Sequence, residues 1–401
     1  MKLRSSETFW LLKNGLGFSY PSLKEDATCD VVVVGAGITG ALMAFQLSSE
    51  GYNTILIDKN DVSQGSTSAT TAILQYELDE PLYSLIDKVG EQAAVNTYLY
   101  GIEMIDWLAR LVHQHHFDCG FEMKNSVYFS RNEKDIDWLQ KEFECRRKHG
   151  LSVEWFSSTE LSKHFFVNGA GAIVSEKAAC VDAYALSHQL IHHAVINYGL
   201  RVFDHTGMQE VTTNGIQSVI LTDNDCEITS KMVVYSTGYE TQQFLREHVA
   251  KLVSTYAAVS EPLKVVPPSI YTSVFWDTSE PYFYMRTTTD GRVLVGGADE
   301  PFVNPTRRDE LIERKEEELV ELFKTAFPDM SITPDYSWAG TFGITKDSMP
   351  YIGTHAGYDN SFFVLGYGGN GITFSLMAMK MLSDHMAGRP NKFNEYFKFN
   401  R

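Results

Sequence analysis

The feature that most constrains this chain is the run Val31–Val34 followed at once by Gly35-x-Gly37-x-x-Gly40. Consecutive β-branched residues suit a strand covered on both faces, the situation of a parallel sheet. The glycines then demand a tight turn where the backbone approaches another group closely. The pattern predicts a helix over about Ile38–Glu50, closed by Gly51, and a second strand over Thr54–Asp58. Such a unit aims helix amides and the positive end of the helix dipole at a pyrophosphate. Asp58 stands eighteen residues after Gly40, where a carboxylate accepts hydrogen bonds from a ribose hydroxyl. Together they predict a dinucleotide site.

The chain has 401 residues, 44% of them hydrophobic and 21% charged, which fits a globular protein of two or three structural units. Acidic residues outnumber basic ones 51 to 34, a net −17 that repels nucleic acid and anionic lipid. Val31–Ser49 carries no charge, but glycines, Thr39, Gln46 and serines interrupt it, and no membrane span is expected. The five cysteines are scattered without a CxxC pair, and the opening residues lack an apolar leader core. Both point to free thiols and a cytoplasmic location. Metal binding is not expected, because helical spacing scatters His113, His115, His116 and Cys119 over different faces. Met377, Met379 and Met381 read as packing.

Residues 1–28 read as a polar, aromatic-containing extension. Helical periodicity marks 91–113, 132–148 and the run from Asp182 to Gly199, and 308–327 reads as an acidic amphipathic helix. Asn214-Gly215 and Asp290-Gly291 mark hairpins in two strand-rich zones. A strand at Phe362–Leu365, a glycine cluster and a long helix close the chain.

Several blocks carry a resemblance. They are DVVVVGAGITGA at the glycine turn, GSTSATTA after the second strand, VVYSTGYE at 233–240 and GRVLVGGAD at 291–299. The most specific are WAGTFGITKDSMPYIG at 338–353 and GYGGNGITFS at 366–375. In this order they resemble the D-amino-acid-oxidase family of FAD-dependent oxidoreductases, of the glycine-oxidase, sarcosine-oxidase and γ-glutamylputrescine-oxidase type, over about residues 29–390. The resemblance implies an α/β fold in which a discontinuous Rossmann-like FAD domain (29–78, 176–240 and 338–401) receives a mostly antiparallel substrate domain (79–175 and 241–337). It also implies that Ile38, Thr39, Asp58 and Lys59 hold the adenosine diphosphate half. Ser66, Thr67, Thr71, Ala72 and Ile73 would line the pyrophosphate and ribityl path, and Met208 would meet adenine through its backbone. Thr237, Gly238 and Gly340 complete the implied cofactor set. Asp58 replaces the family's usual glutamate. Relatives that bind flavin covalently use Cys or His, and neither occurs in 63–76 or 338–353, so FAD is expected to be noncovalent.

The segment Tyr367-Gly368-Gly369-Asn370-Gly371-Ile372-Thr373, after Gly366, precedes a helix, and its amides are expected to face the flavin's pyrimidine edge, where reduced flavin is anionic. Strand alternation puts Tyr282, Tyr284 and Arg286 on one face, a Tyr/Arg wall expected to anchor an acidic or amide group of the substrate. Against the glycine-oxidase pattern, Phe342 and Gly369 stand where arginines hold a substrate α-carboxylate. Phe342, Tyr256, Tyr284 and Tyr367 are then expected to box an amine. The oxygen-activating lysine of sarcosine oxidases falls on Leu294. The leading expectation is an enzyme that oxidises a small amine or amino-acid derivative at its C–N bond, passing electrons to oxygen or another acceptor. The alternatives are a 2-hydroxy-acid or polyol dehydrogenase and a flavin-binding sensor or assembly protein without turnover. Substrate and oligomeric state stay open.

Overall fold

A computed structural model describes residues 1–279, 282–365 and 367–401. Gly366 of the glycine cluster lies outside the described residues. Strand Ala27–Val34 forms the centre of an eight-stranded sheet, pairing in parallel with Thr54–Ile57 on one side and Glu227–Tyr235 on the other. Arg201–Phe203 and Tyr358–Leu365 extend the parallel run outward. Val31, Val32 and Val33 are wholly buried, as expected of a strand covered on both faces.

Helix Ile38–Ser49 fills one side of that sheet, clamped between helices Ala183–Tyr198 and Gly371–Met386. Ten of its twelve residues are buried, which explains the absence of charge. Each of Leu42, Met43 and Leu47 contributes roughly 1.5–3 kcal/mol by that burial. No helix among the described residues is long and apolar enough to cross a membrane. Asp182 caps its helix through Ala185 N–H (2.9 Å), and Gly199 ends it in the left-handed region.

A second sheet of nine strands is largely antiparallel, with Glu122–Ser130 and Ser273–Asp277 paired in parallel within it. It includes Ile73–Gln75, Gly171–Cys180 and Pro334–Ile344, so the limits expected at 175/176 and 337/338 each fall inside one of its strands. The extension at 1–28 is more than a polar lead-in. Phe9–Asn14 is a helix whose Trp10 is wholly buried, with Nε1 donating to Thr70 O at 2.7 Å. Its apolar residues join Tyr184, Leu294 and Trp338 in one cluster.

Candidate active site

The parallel strands end along one edge, where chain reversals leave a crevice suited to a ligand. The residues that follow them line a cavity of about 1400 Å³ that continues to the second sheet. Gly35 and Gly37 come from the first strand, Asp58 and Lys59 from the second, and Met208 follows Arg201–Phe203. Thr237 and Gly238 follow Glu227–Tyr235, and Tyr367–Ile372 follow Tyr358–Leu365.

Two glycines show why the turn has this sequence. Gly35 has φ +100°, and a Cβ there would sit 2.7 Å from Ser236 O. At Gly40 a Cβ would collide with Gly35 O, so that glycine serves helix-to-turn packing and does not line the cavity. The N-termini of helices Ile38–Ser49 and Gly371–Met386 both open on the cavity, and neither has a capping side chain. Asp58 accepts from Ala36 N–H (2.7 Å) and Asn60 N–H (2.9 Å), while burial pushes its carboxyl up to about 6.

Segment Ser66–Ile73 crosses between the two sheets. Ser66, Thr67, Thr71 and Ile73 line the cavity, and the Ser66 hydroxyl has no hydrogen-bond partner among the described residues. Ala72 and Thr373 do not line it. Ala72 is 1% exposed at φ 54°, and Thr373 Oγ1 donates to Gln75 O at 3.0 Å. Gly340 and Phe342 line it from strand Pro334–Ile344, beside Ile38, Thr39, Tyr282, Tyr284 and Tyr367. Burial drives the Tyr282, Tyr284 and Tyr367 phenols above their ordinary range, so they stay protonated near neutrality.

Three expectations are corrected. Arg286 does not face the cavity: its Nη1 donates to Thr71 O (3.1 Å), Ala72 O (2.9 Å) and Val181 O (2.8 Å). Alternation does put it on the face of Tyr284, but the Thr71–Ala72 backbone crosses over it. Tyr256 is not part of an aromatic box, because its neighbour Thr255 takes the cavity side and the period of two sends Tyr256 into the core. Leu294 is wholly buried in the cluster beneath the N-terminal helix, away from the cavity wall.

The sequence reading missed part of the wall. Leu3 lines the cavity, and Arg4 Nε donates to Gln64 O at 2.6 Å, so the chain's first residues border the site. Asp79 and Asp299 also line it, and Asp79 Oδ2 accepts from Gly369 N–H at 3.0 Å. Asp79 belongs to no motif, Asp299 closes the GRVLVGGAD block without an expected role there, and only folding brings the two to one cavity. Asp61, Asp204 and His205 bring ligand-type atoms within 4.8 Å of one another, again from distant positions.

A parallel sheet with a glycine turn, an acid at the second strand's end and a cavity running on to an antiparallel sheet defines a dinucleotide-dependent oxidoreductase fold. A family model described as FAD dependent oxidoreductase matches residues 30–385, and the chain belongs to that family of enzymes. It is 24% identical to a putative Rieske 2Fe-2S iron-sulfur protein, YhfW, of Bacillus subtilis (strain 168), over 98% of this chain and 75% of that one. To the gamma-glutamylputrescine oxidoreductase of Escherichia coli (strain K12) it is 22% identical, over 94% of this chain and 88% of the other. The crystal structure of glycine oxidase from Geobacillus kaustophilus superposes with a TM-score of 0.76 at 19% identity, covering 94% of this chain and 99% of that one.

The cavity fits the family's cofactor. A Cβ at Gly35 or Gly40 would break the turn, two helix N-termini offer positive potential to a pyrophosphate, and Asp58 lines the cavity at the end of the second strand.

Proposed function

We propose that this enzyme oxidises an amine or amino-acid derivative at a C–N bond, using noncovalently held FAD. Bound flavin supplies a hydride acceptor at N5. The C–H bond beside nitrogen breaks, its electron pair leaves as hydride, and nitrogen loses a proton to give an imine. Water then releases a carbonyl compound and an amine or ammonia.

The observation that carries this reading is the wall of Tyr282, Tyr284, Phe342 and Tyr367, continuous with the glycine-turn groove. These side chains exclude water and confine an apolar stem, and the protonated phenols donate hydrogen bonds without adding charge. Gly37, Thr39, Ser66 and Thr67 would hold the pyrophosphate, Asp58 the ribose and Gly368–Ile372 the pyrimidine edge. The likeness to gamma-glutamylputrescine oxidoreductase and glycine oxidase supports an amine nitrogen at the reacting carbon. Noncovalent attachment is supported by a cavity wall free of Cys and His among the described residues.

The decisive experiment is anaerobic bleaching of the flavin absorbance by a panel of amines, amino acids, 2-hydroxy acids and polyols. Bleaching by amines alone is the expected result, and bleaching by hydroxy acids or polyols alone overturns the reading. The acceptor has a second reading, an iron–sulfur partner instead of oxygen, suggested by the relative described as a Rieske protein. Slow peroxide release with fast dye reduction would favour it.

A further inference from the structure

The acids around the substrate end of the cavity differ in one respect: whether a cation already answers them. Glu77 meets Arg146 (3.4 Å), Asp277 meets Arg131 (2.6 Å) and Glu80 meets Lys88 (2.6 Å). Lys315 serves both Glu300 (2.9 Å) and Glu318 (3.0 Å). Asp79 and Asp299 have no ion pair among the described residues.

Both unanswered acids line the cavity beyond the glycine turn. Asp79 touches the glycine loop, and a Cβ on Gly369 would come within 2.6 Å of its Oδ1. Asp299 lies in the same wall as Tyr282 and Tyr284, whose rings are 5.6 Å apart. Its Oδ1 is shut off from solvent and has no hydrogen-bond partner among the described residues. On the same wall Glu77, 3% exposed, keeps an Oε2 without a partner. Burial pushes the Asp299 carboxyl up to about 6, and the Asp79 charge adds to the shift. Two carboxylates without ion pairs on one cavity wall lower their energy by binding a cation.

We infer that Asp79 and Asp299 bind a positively charged group of the substrate, so that the enzyme prefers an aliphatic diamine or polyamine to an amino acid. The inference rests on the amine-oxidising reading and sharpens it. An amino acid would set its carboxylate against these two charges. A diamine presents one nitrogen for oxidation and a second, as ammonium, for the acids and the Tyr282 and Tyr284 rings. Asp79 and Asp299 are specificity-determining residues here.

The test uses the FAD-loaded protein and three amines of equal chain length: 1,4-diaminobutane, butylamine and 4-aminobutanoate. Anaerobic bleaching should be at least tenfold more efficient with the diamine than with either of the others. Asp299→Asn should remove that advantage while FAD content holds. Asp79→Asn, which keeps an acceptor for Gly369 N–H, should also lower the diamine preference. Tetramethylammonium, which cannot react, should perturb the flavin spectrum of the parent and not that of Asp299→Asn. Equal or better bleaching by 4-aminobutanoate, or an undiminished diamine preference in both variants, overturns the inference and leaves amine oxidation standing. Bleaching by hydroxy acids alone overturns both.

Discussion

Arg286 Nη1 donates to Ala72 O at 2.9 Å, and Ala72 holds a left-handed φ of 54° that alanine rarely adopts. That conformation costs on the order of 1–3 kcal/mol, and the guanidinium helps hold it together with Val181 N–H (3.2 Å) and the Thr70 hydroxyl (3.1 Å). Arg286 therefore positions the Thr71–Ala72 backbone at the cavity's edge. Arg286→Ala would leave Thr71 O and Val181 O without this donor, while Ala72 O keeps Val181 N–H (3.2 Å), and cost about 2 kcal/mol or more. The expected result is a lower urea midpoint together with reduced FAD content, whereas a substrate anchor would change KM at full FAD occupancy.

The glycine turn gives a sharper outcome. A Cβ at Gly37 would lie 2.9 Å from Thr67 Oγ1, and a branched side chain would extend into the cavity. Gly37→Val should purify colourless and resist reconstitution with added FAD. Its far-UV spectrum should match that of the apoprotein.

Asp58 links cofactor affinity to pH. Burial raises its carboxyl to about 6 without the cofactor, and ribose hydroxyl donors would favour the ionised form. Binding then lowers that pKa and releases a proton. FAD affinity should be full above about pH 7 and fall as pH drops through 6. Titrations by flavin fluorescence quenching from pH 5 to 8 check this, and Asp58→Asn should bind more weakly with a flat profile.

Arg146 and Glu142 are both wholly buried, with Arg146 Nε donating to Glu142 Oε1 at 2.6 Å. The same carboxylate accepts from Leu82 N–H (3.0 Å) and Tyr83 N–H (3.1 Å) at the start of helix Leu82–Val89. Glu142→Ala leaves the guanidinium with Glu77 alone, at 3.4 Å, and uncaps the helix, for an expected loss of about 3 kcal/mol in chemical denaturation.

Trp10→Ala tests the N-terminal clasp. Emptying a wholly buried indole site should cost about 3–5 kcal/mol, and losing the bond to Thr70 O should loosen the adjoining cofactor segment. Faster FAD release in dilution experiments is the expected signature.

The cofactor half was legible because its chemistry is local. The strand, turn and helix from Ala27 to Ser49 announce themselves by periodicity and glycine, and Asp58 follows at a fixed spacing. The substrate half was not, because its determinants meet only through the fold. Tyr284 and Arg286 share a strand face, yet the crossing of Thr71–Ala72 over Arg286 has no trace in the sequence near 286. Asp79 and Asp299 lie 220 positions apart and become neighbours of one cavity only when both sheets are complete. The helix Phe9–Asn14 escaped because six residues are too few for a periodic signal.

Sheet order also dictates a schedule of synthesis. Val31–Val34 precedes its neighbour Met232–Tyr235 by about two hundred residues in synthesis, and the next strand out, Ser361–Phe363, follows later still. Until then a strongly apolar strand waits with one parallel edge unpaired, the kind of edge that invites mispairing. The glycine turn is thus made well before the loops that complete its cavity. A cavity with both of its walls, and with it FAD capture, awaits the pairing of Tyr358–Leu365.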